Sequence, residues 1–248
     1  MRQRSSMLTS ILLTAALAAG SAVARGTCTR SSSPAVTSIS CNARPYVYQE
    51  LAGYGFVPGN ARDKFGDTLG GIGSSVAIEK GSWRKRGRTY EGTFWTLPDR
   101  GWNTEGTLNY QTRVHKFKVT FTPSGNATLS SPAPPNLQLQ YLDTVRFTDP
   151  AGVPTTGLDA DAIGALSYPG FPPLPAATYS GDGFGGNGTG GRRVSTDCEG
   201  LVLGKDGSFW VSDEYGPYAY HFDRSGKMVG VTRPPPAFIP RRNGSERY

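Results

Sequence analysis

The sequence predicts an all-β protein of the β-propeller type, an incomplete ring of short antiparallel blades. Three observations carry this reading. Glycine (33) and proline (19) are abundant and charged residues are few (18%), a composition of many short strands joined by turns rather than of a helical bundle. Apolar residues recur with a period of two, and no helical periodicity is found beyond the first two dozen residues. A Phe-Trp…Asp…Gly element occurs twice.

Residues 1–24 are read as a secretory signal peptide. Arg2 and Arg4 precede an apolar stretch from Met7 to Ala19, and Ala22-Val23-Ala24 fits small-x-small cleavage. The stretch is broken by Thr9, Ser10 and Thr14 and falls short of the roughly 20 residues of a spanning helix. Secretion without a membrane anchor is therefore expected. Removing the leader lowers the formal charge of +7 to about +5, spread over the chain apart from small basic groups at 84–88 and 241–242. That pattern argues for a solvated surface and against a nucleic-acid partner.

Residues 25–44 form a Ser/Thr-rich, extended segment. Cys28 and Cys41 are expected to close a small disulfide loop in an oxidising compartment, which leaves Cys198 over. Sequons at Asn126, Asn187 and Asn243 sit in loop-like sequence where glycans are tolerated. The remaining 45–248 read as one domain. Strands are expected at 46–51, 74–78, 89–97, 114–121, 137–147, 201–203, 208–211 and 218–223. In 114–121, His115, Phe117, Val119 and Phe121 share one face and Val114, Lys116, Lys118 and Thr120 the other. Residues 168–192, rich in Pro and Gly, read as loop.

The repeat selects the propeller. Gly92-Thr93-Phe94-Trp95-Thr96-Leu97-Pro98-Asp99-Arg100-Gly101 parallels Gly207-Ser208-Phe209-Trp210-Val211-Ser212-Asp213-Glu214-Tyr215-Gly216. Each runs from a turn glycine through an aromatic strand into an acidic turn. Trp95 and Trp210 stand about 115 positions apart, an interval of two or three blades at about 40–50 residues each.

Asp197-x-Glu199-Gly200-Leu201, followed by Phe209 through Pro217, resembles the phytase-like domain family, named for an esterase-like activity of phytase. Gly70-Gly71-Ile72-Gly73-Ser74 and Asp99-Arg100-Gly101 resemble its first half. The likeness covers roughly 45–240. It implies a propeller-like fold, an extracellular or envelope location and a hydrolase activity. Family domains continue through further blades, so a chain reaching Tyr248 soon after the connector Pro234–Pro240 is expected to be cut short, with an open, aggregation-prone blade edge.

The candidate chemistry lies in acids at strand ends. Asp197 and Glu199, two apart on a strand, would share a face with Cα atoms about 6.5 Å apart, a spacing suited to a hard cation such as calcium. Asp99, Arg100, Asp213 and Glu214 end the two repeat strands and are candidate catalytic residues. Asp99 and Asp213 also admit a plain role in Asx turns. Arg192 and Arg193 are candidate forks for an anionic ester substrate, against a role in local charge balance. His115 and His221 have no metal-ligand spacing and read as structural. The chain has no Arg-His-Gly-x-Arg-x-Pro motif and no Gly-x-Ser-x-Gly elbow, so neither a histidine phosphatase nor a serine esterase is indicated. Gly181–Gly186 matches Gly-x-Gly-x-x-Gly but opens no helix and reads as a loop. Two functions remain: a secreted metal-dependent hydrolase of phosphate or carboxylate esters, of which a lactonase-like enzyme is a weaker variant, and a non-catalytic binding propeller or inactive fragment.

Overall fold

The computed structural model describes residues 29–33, 36–48, 53–101, 109–127, 131–162 and 164–246. Every regular element among them is a strand, apart from a single 3-10 turn at Pro236–Phe238. None forms a helix long and apolar enough to cross a membrane. The leader lies outside the described residues.

Two compact units divide at residue 50. The first holds a meander of β1 (Thr29–Ser33), β2 (Val36–Cys41) and β3 (Arg44–Tyr48). The described part of the Ser/Thr-rich segment is thus paired in a sheet. Its β2–β3 turn places Asn42 and Ala43 at φ 51 and 59, the two positive values that a tight two-residue hairpin uses. Cys41 ends β2, while Cys28, its expected partner, lies outside the described residues.

The second unit is built on two antiparallel meanders. One has the order β4 (Ser75–Ile78), β6 (Thr89–Leu97), β7 (Arg113–Phe121), β8 (Leu137–Arg146), with the short β5 (Arg84–Arg86) also paired to β6. The other has the order β12 (Cys198–Leu203), β13 (Phe209–Asp213), β14 (Ala219–Phe222), β15 (Met228–Thr232). Each copy of the repeat therefore supplies the second strand of a four-stranded row. The expected strands at 74–78, 89–97, 114–121, 137–147, 201–203, 208–211 and 218–223 all correspond to strands in these rows.

Between them in sequence, β9 (Ala165–Leu166), β10 (Leu174–Tyr179) and β11 (Gly191–Val194) form a third sheet. This corrects the reading of 168–192 as loop. Proline is excluded from a strand only where its nitrogen must donate to a ladder. Here β10 pairs with β9 through Leu174 and Pro175 and with β11 only from Ala176 onward. Pro175 is left to accept, and its carbonyl takes the Ser195 N–H at 3.0 Å. The final hairpin, β16 (Arg241–Arg242) with β17 (Ser245–Glu246), stands apart.

Alternation along each strand makes two cores. Leu97, Val114, Phe147, Leu174, Val194, Phe209, Val211, Tyr220, Phe222 and Met228 are buried together, with Trp95 packed against them. Here the inner face of β12–β15 meets one face of the β4–β8 sheet. Phe117 and Val119 are buried on the opposite face of that sheet beneath Leu69, with Phe94, Val57 and Ile72 packed against them. The β4–β8 sheet is thus covered on both sides, and Val114, placed by periodicity on the outer face of its strand, is fully buried.

Candidate functional site

The acidic site is built where β12 begins and β13 ends. Cys198 pairs with Asp213, but the next pair is Gly200 with Ser212, so Glu199 is the extra residue of a β-bulge. A bulge bends its strand and re-aims the side chain it carries. The result places Asp197, Glu199 and Glu214 with one carboxylate oxygen each within 4.8 Å of one another. Asp197 is buried; Glu199 and Glu214 face solvent.

Asp197 is held from two sides. The Arg100 backbone N–H donates to Oδ1 at 3.0 Å and Arg100 Nε to Oδ2 at 2.8 Å. The Asp197 N–H donates to Asp213 Oδ2 at 2.8 Å, and its carbonyl accepts the Glu214 N–H at 2.9 Å. Arg100 also lies over the Tyr215 ring, 5.7 Å from its centroid, and the Tyr215 hydroxyl donates to Asp159 at 2.5 Å. The first repeat's turn thereby locks the acid that opens the second repeat.

Burial is the main cause raising the Asp197 carboxyl pKa, with Glu214 adding to it against the Arg100 hydrogen bonds. Burial likewise raises Glu199, helped by the charges of Asp197, Glu214 and Asp99. Four carboxylates therefore repel one another here. Three all-oxygen donors of like charge in this arrangement fit a hard divalent cation.

Of the proposed catalytic residues, Glu214 joins the cluster and Asp99 lies within its electrostatic reach. Asp99 also closes its own turn, taking the Gly101 N–H at 2.6 Å. Asp213 is buried with both oxygens used by backbone donors, Gly216 and Asp197 at 2.8 Å each, and burial pushes its pKa well up. Its position is that of a brace. The two arginines proposed for substrate make contacts outside the acidic cluster, and Arg193 keeps Nε and Nη1 without a hydrogen-bond partner among the described residues. Arg192 faces Asp161 at 3.5 Å. Arg193 lies between the Tyr179 and Phe184 rings, 4.2 and 4.1 Å from their centroids, and donates to the Asp182 carbonyl. It pins the Gly181–Gly190 loop, whose Asp182 takes the N–H groups of Phe184 and Gly186. Sequence reasoning passed over Asp159, which no motif marks and which lies 56 positions from Tyr215.

The acidic cluster does not line the groove of about 940 Å³ that runs between β4 and β12 and is lined by Val76, Ile78, Trp95 and Val202 among others; the carboxylate there, Glu79, is paired with Lys116. Asp99 and Arg100 instead line a pocket of about 140 Å³ with Gly71, Pro98 and Tyr110. The three sequon asparagines are exposed.

A family model described as "Phytase-like: Esterase-like activity of phytase" matches residues 85–248. A curated protein of Arthroderma benhamiae, named "Uncharacterized secreted protein", is 58% identical over 216 residues, which is 87% of this chain and 42% of that one. The chain thus spans less than half the length of this relative. No solved structure matches. The family model takes in both copies of the Phe-Trp repeat and every residue of the acidic cluster, and on that match the chain belongs to the phytase-like family.

Proposed function

We propose that the chain is secreted and forms part of a metal-dependent hydrolase of phosphate or carboxylate esters. The observation that carries this is the cluster of Asp197, Glu199 and Glu214 within 4.8 Å, organised by Arg100. Secretion is supported by the leader sequence and by the name of the Arthroderma relative.

In this reading the three carboxylates hold the cation, with calcium favoured by an all-oxygen donor set that includes flexible, exposed glutamates. Such a cation, when bound, polarises an ester oxygen and lowers the pKa of a bound water. The chain's own residues do the rest. Asp197 is fixed by its buried hydrogen bonds and sets the position of the site. Glu199 and Glu214, free to move, close on the cation. Asp99, at the rim of the small pocket, is placed to take or give a proton. Arg100 is a positioning residue, because its Nε is spent on Asp197. The alternative of a binding module without catalysis is favoured by one observation: Asp213, a proposed catalytic acid, is consumed by backbone donors.

The test is to titrate the protein with calcium and with chelator while following melting temperature and the hydrolysis of 4-nitrophenyl phosphate and 4-nitrophenyl acetate. Calcium at 100 times its Kd would add about 2.7 kcal/mol to stability. No calcium-dependent rise and no turnover would sink the proposal. A rise without turnover would leave the binding module.

A further inference from the structure

A cavity of about 460 Å³ shares no residue with the acidic cluster and gathers three cations, Lys64, Arg146 and Arg224, around one carboxylate, Asp143. Its volume falls within the roughly 300–1,000 Å³ of small-molecule sites. Three segments wall it: the loop at 63–66, the end of β8 and the β14–β15 turn at 223–227. Each wall is held from behind. The buried Asp63, paired with Arg113 at 2.6 Å, takes the Phe65 N–H at 2.8 Å, and the Lys64 N–H donates to the Tyr141 hydroxyl at 3.0 Å. Gly226, at φ 89, accepts the Thr148 N–H at 2.9 Å, and a Cβ there would collide with the Arg146 carbonyl. Only glycine lets the turn close this tightly on β8.

The charges on these walls do not balance. Lys64 pairs with Asp143 at 2.7 Å. No carboxylate among the described residues pairs with Arg146 or Arg224. Asp223, next to Arg224 in the chain, spends its carboxylate on the N–H groups of Ser225 and Lys227 at 2.8 and 3.1 Å. The Phe65 ring draws two like charges together, with the Arg146 guanidinium carbon 3.8 Å and Lys64 Nζ 5.0 Å from its centroid. An arginine held against a ring keeps its N–H edge available to an acceptor. Cations gathered in a cleft concentrate a positive potential, which an anion answers.

We propose that this pocket binds a phosphate group, with Arg146 from β8 and Arg224 from the β14–β15 turn donating to its oxygens. Two unmatched arginines on separate walls suit a tetrahedral group, since each fork can take its own pair of oxygens. A phosphate monoester near neutral pH carries a charge of about −1.5 to −2, which balances the two. Because Phe65 and the buried Asp63 fix one wall before any ligand arrives, little ordering is left for binding to impose. The site does not depend on the acidic cluster holding a cation.

The experiment strips the 248-residue chain of metal with chelator, dialyses the chelator away, and titrates the protein by calorimetry with inorganic phosphate and with phenyl phosphate. Ionic strength is held constant with sodium chloride, so that general screening does not change between points. The expected result is saturable binding with a matching rise in melting temperature. Arg146→Gln and Arg224→Gln should each weaken it about 10-fold. Arg224 is an exposed turn residue, so its variant should melt, without ligand, where the parent does. Arg84→Gln, on the exposed β5, should leave binding unchanged. Tighter binding of phenyl phosphate identifies an esterified phosphate as the ligand, and tighter binding of inorganic phosphate the free ion. No saturable binding of either, binding that neither pocket substitution weakens, or an equal loss with Arg84→Gln overturns the proposal. Every arm is free of metal, so the outcome stands apart from the calcium titration of the acidic cluster.

Discussion

Arg100 grips Asp197 through two different parts of itself, its backbone N–H on Oδ1 at 3.0 Å and its side-chain Nε on Oδ2 at 2.8 Å. The residues are 97 positions apart, so the pair ties the turn of one repeat to the first strand of the other. Removing the guanidinium leaves a mostly buried carboxylate with one donor fewer. Because the arginine is partly exposed, the cost should be about 1–3 kcal/mol rather than the larger value of a fully buried pair. Urea unfolding of Arg100→Ala measures it. Arg100→Lys, which keeps the charge but loses the Nε geometry, should recover only part of the loss.

Glu199→Gln should have opposite effects with and without calcium. Without metal, the substitution removes one of the mutually repelling carboxylates and should raise the melting temperature by an amount worth about 0.5–1 kcal/mol. With calcium it removes a ligand and should lower the calcium-dependent gain. Thermal scans in chelator and in millimolar calcium decide this. A fall in both conditions would show that Glu199 serves the fold and not a cation.

Acid should destabilise the protein through the titration of one buried histidine. His115 is fully buried, and burial together with the nearby Arg113 charge holds its pKa down to about 4. Its Nδ1 pairs with Thr144 Oγ1 at 2.8 Å. In the unfolded chain the imidazole titrates near 6.5, so between pH 6.5 and 4 the unfolded state binds the extra proton. Stability is then full above about 6.5 and falls as the pH drops toward 4, by about 3 kcal/mol at most. Below that, protonation of Asp63 adds a further loss. Burial alone would raise the Asp63 pKa, but the hydrogen bond and charge of Arg113 and two backbone donors outweigh it and hold the carboxyl below its ordinary value. Denaturant titrations between pH 4 and 8 on the parent and on His115→Asn should show the slope flatten in the variant.

Cys198 should be chemically silent in the native state. It is a free, fully buried thiol in the main core, and burial pushes its pKa well up. A thiolate-specific reagent should label it fully in guanidinium and only at the rate of unfolding in buffer. Rapid native labelling would contradict its burial.

The sequence revealed the sheets that obey a simple rule and hid those that bend one. β7 was legible because alternation from His115 to Val119 survives packing, and β6 and β13 because aromatic residues follow a turn glycine. β10 was hidden because Pro175 reads as a break, and only the offset of its two pairings shows why the proline does no harm. At the candidate site, spacing singled out Asp197 and Glu199 as neighbours on one strand, whereas Asp197 precedes β12 and Glu199 sits at its register shift. Their convergence with Glu214 depends on a bulge that leaves no mark in composition or periodicity. Arg193 shows the same limit: sequence offered it as an anion fork or as local charge balance, and its contacts with the Tyr179 and Phe184 rings could not be read from spacing.

The extra residue at Glu199 also separates two jobs within one strand. Beyond it, Gly200 to Leu203 return to regular pairing with Ser212 to Phe209, so the side chains that build the core keep their alignment whatever stands at the bend. A change at the acidic end need not travel into the packing of Leu201 against its neighbours. A scaffold divided in this way can exchange one chemistry for another, or lose chemistry altogether, while its descendants still fold alike.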